Sequence, residues 1–174
     1  MTEAGRLPCE RVLPDGTTVH LRYIRDGDAA ALKEGYEHLS PDSRYRRFNG
    51  VVGSLGDATL RYFTHVDGDH HVAIVATTTG DARARGLGVA RFVRTVEAPT
   101  IAEIAITVAD EMQHRGLGSV LIHALAGVAT AHGVRRFCGQ TSPDNVPMLR
   151  LLHELGPVVS RIEGTELLFE VTLG

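Results

Sequence analysis

The sequence contains no tryptophan and only two cysteines, Cys9 and Cys138, among its 174 residues. Two cysteines this far apart, without a second pair of ligands, do not make a zinc site, and we interpret them as reduced thiols. The charged N-terminus lacks the apolar segment of a signal peptide, and no apolar run approaches the length of about 18 residues that a membrane span needs. These absences predict a cytoplasmic protein that is neither secreted nor embedded in a membrane.

Lysine is nearly absent as well, because Lys33 is the only one and the other seventeen basic residues are arginines. The formal net charge is −3 and the isoelectric point is near 6.3, so the chain has no net positive field and we expect neither nucleic acid nor membrane as a partner. A hydrophobic fraction of 43% is enough for one continuous core. We therefore expect a single domain over residues 1–174, with a loose tail over 1–10; the oligomeric state is left open.

Hydrophobic periodicity predicts strands and helices along the whole chain. Alternating β-branched residues predict seven strands, over 18–24, 71–77, 89–96, 101–108, 134–140, 158–163 and 166–173. Helical spacing and start signals predict helices over 28–39, 41–48, 57–65, 119–132 and 145–155. This mixture predicts an α/β (α+β) protein whose central sheet is covered by helices.

The glycine pattern Gln/Arg-x-x-Gly-x-Gly occurs twice, at residues 83–88 and at residues 113–118. Glycine lets a backbone approach a phosphate closely, and the free N–H groups and dipole of a helix start favour a bound anion. The second copy lies between a predicted strand and a predicted helix, whereas the first leads directly into a strand. We therefore assign an anion site to 113–118 and a flexible hairpin connection to 83–88.

Two familiar nucleotide loops do not fit residues 113–118. No Lys-Ser/Thr follows Gly118, which excludes a nucleoside triphosphatase loop, and the G-x-G-x-x-G spacing of dinucleotide-binding proteins is missing. A strand-to-helix turn that needs glycine only for packing is the alternative to an anion site.

The order of these features resembles the GNAT superfamily of N-acetyltransferases. The features are Ile106-Thr107-Val108 at the end of a strand, the loop 113–118, an amphipathic helix, a further strand, and Asn145 opening another helix. The resemblance implies a mixed, mostly antiparallel sheet of about seven strands flanked by helices. It also implies one N-acetyltransferase domain with acetyl-CoA as the acyl-donor co-substrate.

In that family the edge of the fourth strand bonds the pantetheine arm of the cofactor, and the following loop and helix start hold its pyrophosphate. The cofactor-binding residues that the resemblance implies are Ile106, Thr107, Val108, Gln113, His114, Arg115, Gly116, Leu117, Gly118, Ser119 and Asn145.

Four segments, 15–17, 39–48, 102–105 and 145–150, resemble more specifically the acetyltransferase domain of bacterial protein-lysine acetyltransferases. We therefore expect a primary amine as acceptor, with a protein lysine ahead of a small molecule. A small-molecule amine acetyltransferase and a catalytically weak acyl-CoA-binding module are the alternatives.

Glu103 is the candidate catalytic base. Acetyl transfer to an amine needs a base, because an ammonium has no lone pair. On the strand 101–108, Glu103 shares a small, partly polar face with Ala105 and Thr107, which leaves room for a thioester and an amine. Related protein acetyltransferases carry a glutamate base at the matching place. An ion pair with Arg91 or Arg136 is the alternative role.

Leu152 stands where many GNAT enzymes place a tyrosine that protonates the departing thiolate. A thiol with a pKa of about 8.5 leaves readily as thiolate, so the reaction does not depend on that acid. The neighbouring His153 points about 100° away on a helix, and we assign it a packing or surface role.

Two polar clusters remain. The histidines and aspartates of 65–71 lack a recognised ligand spacing, so we expect a polar turn and no metal. The arginines of 44–47 could attract an acidic substrate surface, but a solvated helix face is preferred, and Tyr45 and Phe48 are expected to pack.

Overall fold

The computed structural model describes residues 7–48, 54–79 and 84–174. Within these ranges the strands are β1 (Cys9–Val12), β2 (Thr18–Tyr23), β3 (His71–Thr78), β4 (Gly86–Arg94), β5 (Ile101–Val108), β6 (Arg136–Thr141), β7 (Val158–Glu163) and β8 (Glu166–Thr172). The helices are α1 (Ala29–Glu37), α2 (Pro41–Phe48), α3 (Asp57–Thr64), α4 (Leu117–Ala131) and α5 (Val146–Leu155), and short 3₁₀ turns precede α1 and α4.

All eight strands form one sheet in the order β1-β2-β3-β4-β5-β6-β8-β7. Every neighbouring pair is antiparallel except β5 and β6, which are parallel. The mixed, mostly antiparallel sheet that the sequence predicts is therefore confirmed, with eight strands instead of about seven.

The strand that sequence reasoning missed is β1. Cys9 and Glu10 pair with Leu21 and His20, so they belong to the sheet and not to the loose tail predicted over 1–10; residues 1–6 lie outside the described ranges. The segment is short, and prolines at positions 8 and 14 flank it, which hides its strand character. Proline is tolerated there because β1 is an edge strand.

The sheet splits between its two parallel strands, β5 and β6. Pairing between β5 and β6 covers only residues 101–103 of β5, although β5 continues to Val108 and β6 to Thr141. Beyond residue 103 the two strands separate, so the rest of the β5 edge on that side lacks a neighbouring strand. Backbone N–H and C=O groups on such an edge can bind an extended ligand.

The main core lies between the sheet and α4. Leu117, Leu121 and Leu125 are fully buried at intervals of four, as an amphipathic helix requires. The helix ends before Gly133, whose φ of 83° provides the left-handed stop that the sequence predicts. Helices α1 and α3 pack over the opposite face of the sheet, where Tyr36, Leu39, Leu55 and Leu60 form a second cluster. No helix in the described ranges is long and apolar enough to cross a membrane.

Candidate active site

A cleft of about 510 Å³ lies where β5 and β6 separate. Its walls are the unpaired part of β5, the end of β6, one face of α2, the loop before α4, the first turn of α4, and one face of α5. The predicted site residues that line it are Glu103, Ile106, Thr107, Val108, Gln113, His114, Gly116, Gly118, Ser119 and Asn145. A smaller cavity of about 100 Å³ lies beneath α1, and Thr107 is the one predicted site residue that lines it.

The loop before α4 has an unusual backbone. His114 and Gly116 both have positive φ, at 58° and 87°. For a residue other than glycine this conformation costs about 1–2 kcal/mol, so the fold must hold His114 in place. The first intrahelical bond of α4 runs from Val120 N to the carbonyl of Gly116, at 3.1 Å, and no side chain caps the helix. The N–H groups of residues 117–119 precede that bond and are available to an anion.

Glycine is favoured in this loop by backbone conformation at Gly116 and by close packing at Gly118. A Cβ at Gly116 would lie 2.9 Å from Pro14 Cδ, and one at Gly118 would lie 3.2 Å from Leu151 Cδ1. Sequence reasoning explained these glycines by close approach of a ligand, and the structure adds that a Cβ at either position would crowd a neighbouring side chain.

The first glycine pattern has another role. Gly86 and Gly88 lie within β4, so the connection that we predicted over 83–88 ends earlier; Arg83 lies outside the described residues. A Cβ at Gly88 would lie 2.9 Å from Leu121 Cδ1 and 3.0 Å from the carbonyl oxygen of Thr107. Gly88 thus lets α4 pack closely on the sheet, and no helix start follows it.

The side chain of Gln113 ties the loop to α2. Its Nε2 donates to Ser43 Oγ and to Asp110 Oδ1, both at 3.0 Å, and to the carbonyl of Val108 at 3.3 Å. Asp110 also accepts hydrogen bonds from Ser40 N at 2.6 Å and from Ser43 Oγ at 2.5 Å. The start of α2 and the loop are therefore fixed to each other.

Arg115 and Leu117 are the two predicted cofactor residues that do not line the cleft. The Arg115 guanidinium turns towards the β1–β2 connection, where Nη2 donates to Thr17 Oγ1 at 2.7 Å and Nε to Asp15 Oδ2 at 2.5 Å. The Leu117 side chain is fully buried in the core. Any contact of these two residues with a ligand in the cleft is limited to their backbone.

Asn145 closes the cleft on the β6 side. Its Oδ1 accepts a hydrogen bond from Met148 N at 3.3 Å, which caps α5, and its Nδ2 donates to Thr141 Oγ1 at 2.9 Å. The side chain therefore joins the end of β6 to the start of α5. One amide hydrogen and one lone pair remain available to a ligand.

Glu103 lies at the point where β5 and β6 separate, opposite Cys138, and its side chain is exposed. The two arginines considered as partners bond elsewhere. Arg136 Nη1 donates to Glu170 Oε2 at 2.8 Å, while Arg91 is buried against Phe63 and His71. Among the described residues, no ion pair joins Glu103 to either arginine, so its carboxylate is accessible from the cleft.

The pKa of the Cys138 thiol is affected by the nearby carboxylate of Glu103. Burial raises its pKa first, and the nearby carboxylates of Glu103 and Glu170 raise it further because they disfavour a thiolate. Cys138 is therefore a protonated thiol at neutral pH, as expected for a reduced, unreactive cysteine.

Replacing Glu103 by glutamine should make Cys138 more reactive. Loss of the negative charge lowers the pKa of the thiol, so the thiolate fraction rises. In a Cys9→Ser background, we expect iodoacetamide to alkylate Cys138 about two- to threefold faster at pH 8 in the Glu103→Gln protein. Mass spectrometry of timed samples measures this rate, and an unchanged or slower rate would contradict the proximity of the two side chains.

The position at which many GNAT enzymes carry a general acid has no acidic side chain in this chain. Leu152 is fully buried in the core, and His153 is exposed outside the cleft. Of the packing or surface role predicted for His153, the structure shows the surface position.

Sequence reasoning did not single out several residues that line the cleft, among them Ser43, Gln140, Thr141, Arg150 and Glu154. They share no motif, because α2, β6 and α5 come together here only in the folded chain.

The arginines of the cluster 44–47 have different surroundings: Arg46 lines the cleft, whereas Arg44 bonds the carbonyls of residues 37 and 39. Tyr45 is 53% exposed, so the prediction that it packs is wrong, because α2 presents this side to solvent. The side chain of Phe48 lies outside the described residues.

The histidine-rich segment 65–71 forms the polar turn that the sequence predicts. Asp67 Oδ1 accepts hydrogen bonds from the backbone N–H groups of Asp69 and His71, at 2.9 and 2.8 Å. Burial, followed by the neighbouring Arg91, lowers the pKa of His71 and keeps its ring neutral. No group of three or more possible metal-ligating side chains occurs within the described ranges.

Glu154 places a carboxylate beside the start of α4. Ser119 Oγ donates to Glu154 Oε2 at 2.5 Å, and His123 Nδ1 lies 3.7 Å from the same oxygen. An anion bound at the helix start would meet the negative charge of Glu154. Ser119 would also have to exchange the carboxylate for the anion.

Glu154→Gln should therefore strengthen CoA binding. Like-charge repulsion across a few ångströms of water is modest, so we expect the dissociation constant to fall about two- to fivefold at low salt. The gain should shrink as salt is added, because salt screens the repulsion. Calorimetric titration at two ionic strengths measures the effect, with Glu163→Gln on β7 as the matched control. Weaker binding by Glu154→Gln would show that the carboxylate supports the site.

Comparison with known proteins identifies the family of the chain. Residues 18–158 match the family model of the acetyltransferase (GNAT) domain. The chain is 37% identical over 144 residues to the acetyltransferase Pat of Mycolicibacterium smegmatis, which covers 82% of the chain but only 42% of that relative. The chain thus spans less than half of that protein. It is also 32% identical over 149 residues to the acetyltransferase PA5475 of Pseudomonas aeruginosa, covering 86% of the chain and 80% of the relative.

A solved structure gives the same result. The crystal structure of the GNAT domain of S. lividans PAT superimposes with a TM-score of 0.85 at 30% sequence identity. The superposition covers 95% of this chain and 96% of that domain. The family model, the sequence relatives and the fold agree, and the chain therefore belongs to the GNAT family of acetyltransferases.

Proposed function

We propose that this acetyltransferase moves an acetyl group from acetyl-CoA to a primary amine, a protein lysine side chain, with Glu103 as general base. One observation carries the proposal. The separation of β5 from β6 creates a single cleft that has Glu103 at the fork of the strands and the helix start of α4 on its wall.

The cleft suits the two ends of the donor. The β5 edge over 104–108 lacks a neighbouring strand on the β6 side, so its backbone can bond the amides of a pantetheine arm. The N–H groups of 117–119 and the dipole of α4 favour the charge of a pyrophosphate. Asn145 has free hydrogen-bonding capacity on the opposite wall. When bound, acetyl-CoA supplies a thioester whose carbonyl carbon is open to attack by an amine.

Glu103 makes the acceptor nucleophilic. Its exposed carboxylate, with no ion pair among the described residues, can take a proton from an approaching ammonium directly or through one water. Its neighbours on the same face, Ala105 and Thr107, are small and leave space for the amine. Leu152, which cannot donate a proton, stands in the place of the family's acid, and a thiolate leaves without an acid because the pKa of an ordinary thiol is about 8.5.

A protein lysine is the acceptor that the chain favours. The segments 39–48 and 102–105, which resemble protein-lysine acetyltransferases, supply α2 on one wall of the cleft and Glu103 at the fork. The exposure of Glu103 also lets an amine on a large molecule reach it.

A substrate screen tests this function. Thiol release from acetyl-CoA should be measured across lysine peptides, whole proteins and small amines at equal amine concentration. We expect turnover with lysine in proteins or peptides and little with small amines. Preference for a small amine would replace the lysine acceptor, and no turnover with any amine despite tight CoA binding would overturn the enzymatic proposal.

A further inference from the structure

Arg115 lies between the two loop residues of positive φ, His114 and Gly116. Its side chain points away from the cleft, so it stabilises the loop from the side opposite the cleft. Its guanidinium donates to the carbonyl of Glu111 and to Met112 Sδ in the preceding turn, and to Asp15 and Thr17 in the connection between β1 and β2. That connection lies about a hundred positions earlier in the sequence, and it is part of no cleft wall.

The β1–β2 connection is itself well fixed. Thr17 N donates to Asp15 Oδ1 at 2.9 Å, which sets the orientation of the carboxylate. Leu13 N donates to the carbonyl of Thr17 at 2.8 Å, and Gly16 N to the carbonyl of Leu13 at 2.9 Å. Leu13 is buried in the main core. The turn therefore offers Arg115 a rigid support.

Charge strengthens this support. Hydrogen bonds from Thr17, followed by the Arg115 guanidinium, lower the pKa of Asp15 to about 2, so the carboxylate is ionised at neutral pH. Charge-assisted bonds of this kind are shorter and stronger than neutral ones. Pro14 adds a packing contact, because it lies directly against Gly116.

We propose that Asp15 is a positioning residue for the diphosphate of acetyl-CoA, acting through Arg115 to hold the loop 113–118 in its anion-binding shape. Asp15 does not touch the cleft itself. Its effect comes from keeping the backbone N–H groups aimed at one place before the ligand arrives, which spares the ligand the cost of ordering the loop. The inference rests on the proposed function for the identity of the anion.

Asp15→Ala should therefore weaken binding of CoA but not of pantetheine, which lacks the diphosphate. We expect the dissociation constant of CoA to rise about five- to tenfold and that of pantetheine to stay within about twofold. Calorimetry measures the first and an NMR titration the second, and neither needs an amine acceptor. Asp15→Asn keeps one of the two acceptor oxygens, enough for Thr17 N or for Arg115 Nε but not for both, so it should restore only part of the loss.

Glu163→Gln, which removes an exposed carboxylate of the Arg161–Glu163 pair on β7, is the matched control and should change neither constant. Unchanged CoA binding by Asp15→Ala would overturn the inference. An equal loss for CoA and pantetheine would also overturn it, since Asp15 would then support the fold in general. A wild-type protein that binds no CoA would overturn the proposed function, and this inference with it.

Discussion

Replacement of Glu103 by glutamine is expected to lower kcat about a hundredfold or more while changing CoA affinity less than about twofold. General base catalysis contributes about 10²–10⁴ in rate, and glutamine keeps the size of the side chain while losing its basicity. CoA affinity should persist because the β5 edge and the α4 start are untouched. Steady-state thiol release at saturating acetyl-CoA measures kcat, and calorimetry measures binding.

Glu170→Gln is the matched control for this prediction. Cys138 on β6 lies between the two glutamates, opposite Glu103 on β5 and opposite Glu170 on β8. Unlike Glu103, Glu170 forms an ion pair with Arg136. Loss of its charge should leave kcat within about twofold of wild type. Equal activity of Glu103→Gln and wild type at neutral pH would remove Glu103 from the role of base.

Replacement of Gly116 by valine is expected to have the second large effect. A β-branched residue at φ 87° is strained by at least about 1–2 kcal/mol, and the contact with Pro14 adds overpacking of about 1–3 kcal/mol. Relief of this strain requires the loop to change shape, which misdirects the N–H groups of 117–119. We expect CoA affinity to fall at least tenfold and the free energy of unfolding to fall by a few kcal/mol, measured by calorimetry and urea titration.

Gly86→Val provides the comparison, because it alters the corresponding glycine of the other pattern. A Cβ at Gly86 would have no described atom within 4 Å, and the residue lies in β4, where valine is well accepted. Both CoA affinity and stability should stay close to wild type. Similar losses of CoA affinity in the two variants would mean that the anion site had been assigned to the wrong loop.

Local sequence signals predict much of the fold. The strand over 101–108 has the predicted bounds, and the helix after Gly118 differs only at its ends, because periodicity of apolar side chains governs both. The context of the two glycine patterns also separates them correctly by secondary structure. Strand β1 was missed because four residues between prolines carry too little periodic signal.

The architecture of the candidate site depends on long-range contacts that leave no local signal. Only residues 101–103 of β5 pair with β6, and beyond them the two strands separate. No local pattern in either strand marks the point of separation. Arg115 was expected at the ligand on family resemblance, but its side chain bonds Asp15 and Thr17 across the fold. Gln113 likewise bonds Ser43 on α2. The roles of the predicted residues in catalysis and cofactor binding stay predictions until they are measured.

Hydrogen–deuterium exchange with and without CoA tests the central claim most directly, because both glycine patterns are observed in one experiment. We expect slower exchange of backbone amides in 104–108 and 114–119 when CoA is present, with no change in 84–88. Protection of 84–88 without protection of 114–119, or no protection of either, would contradict a donor site between the separated strands and the start of α4.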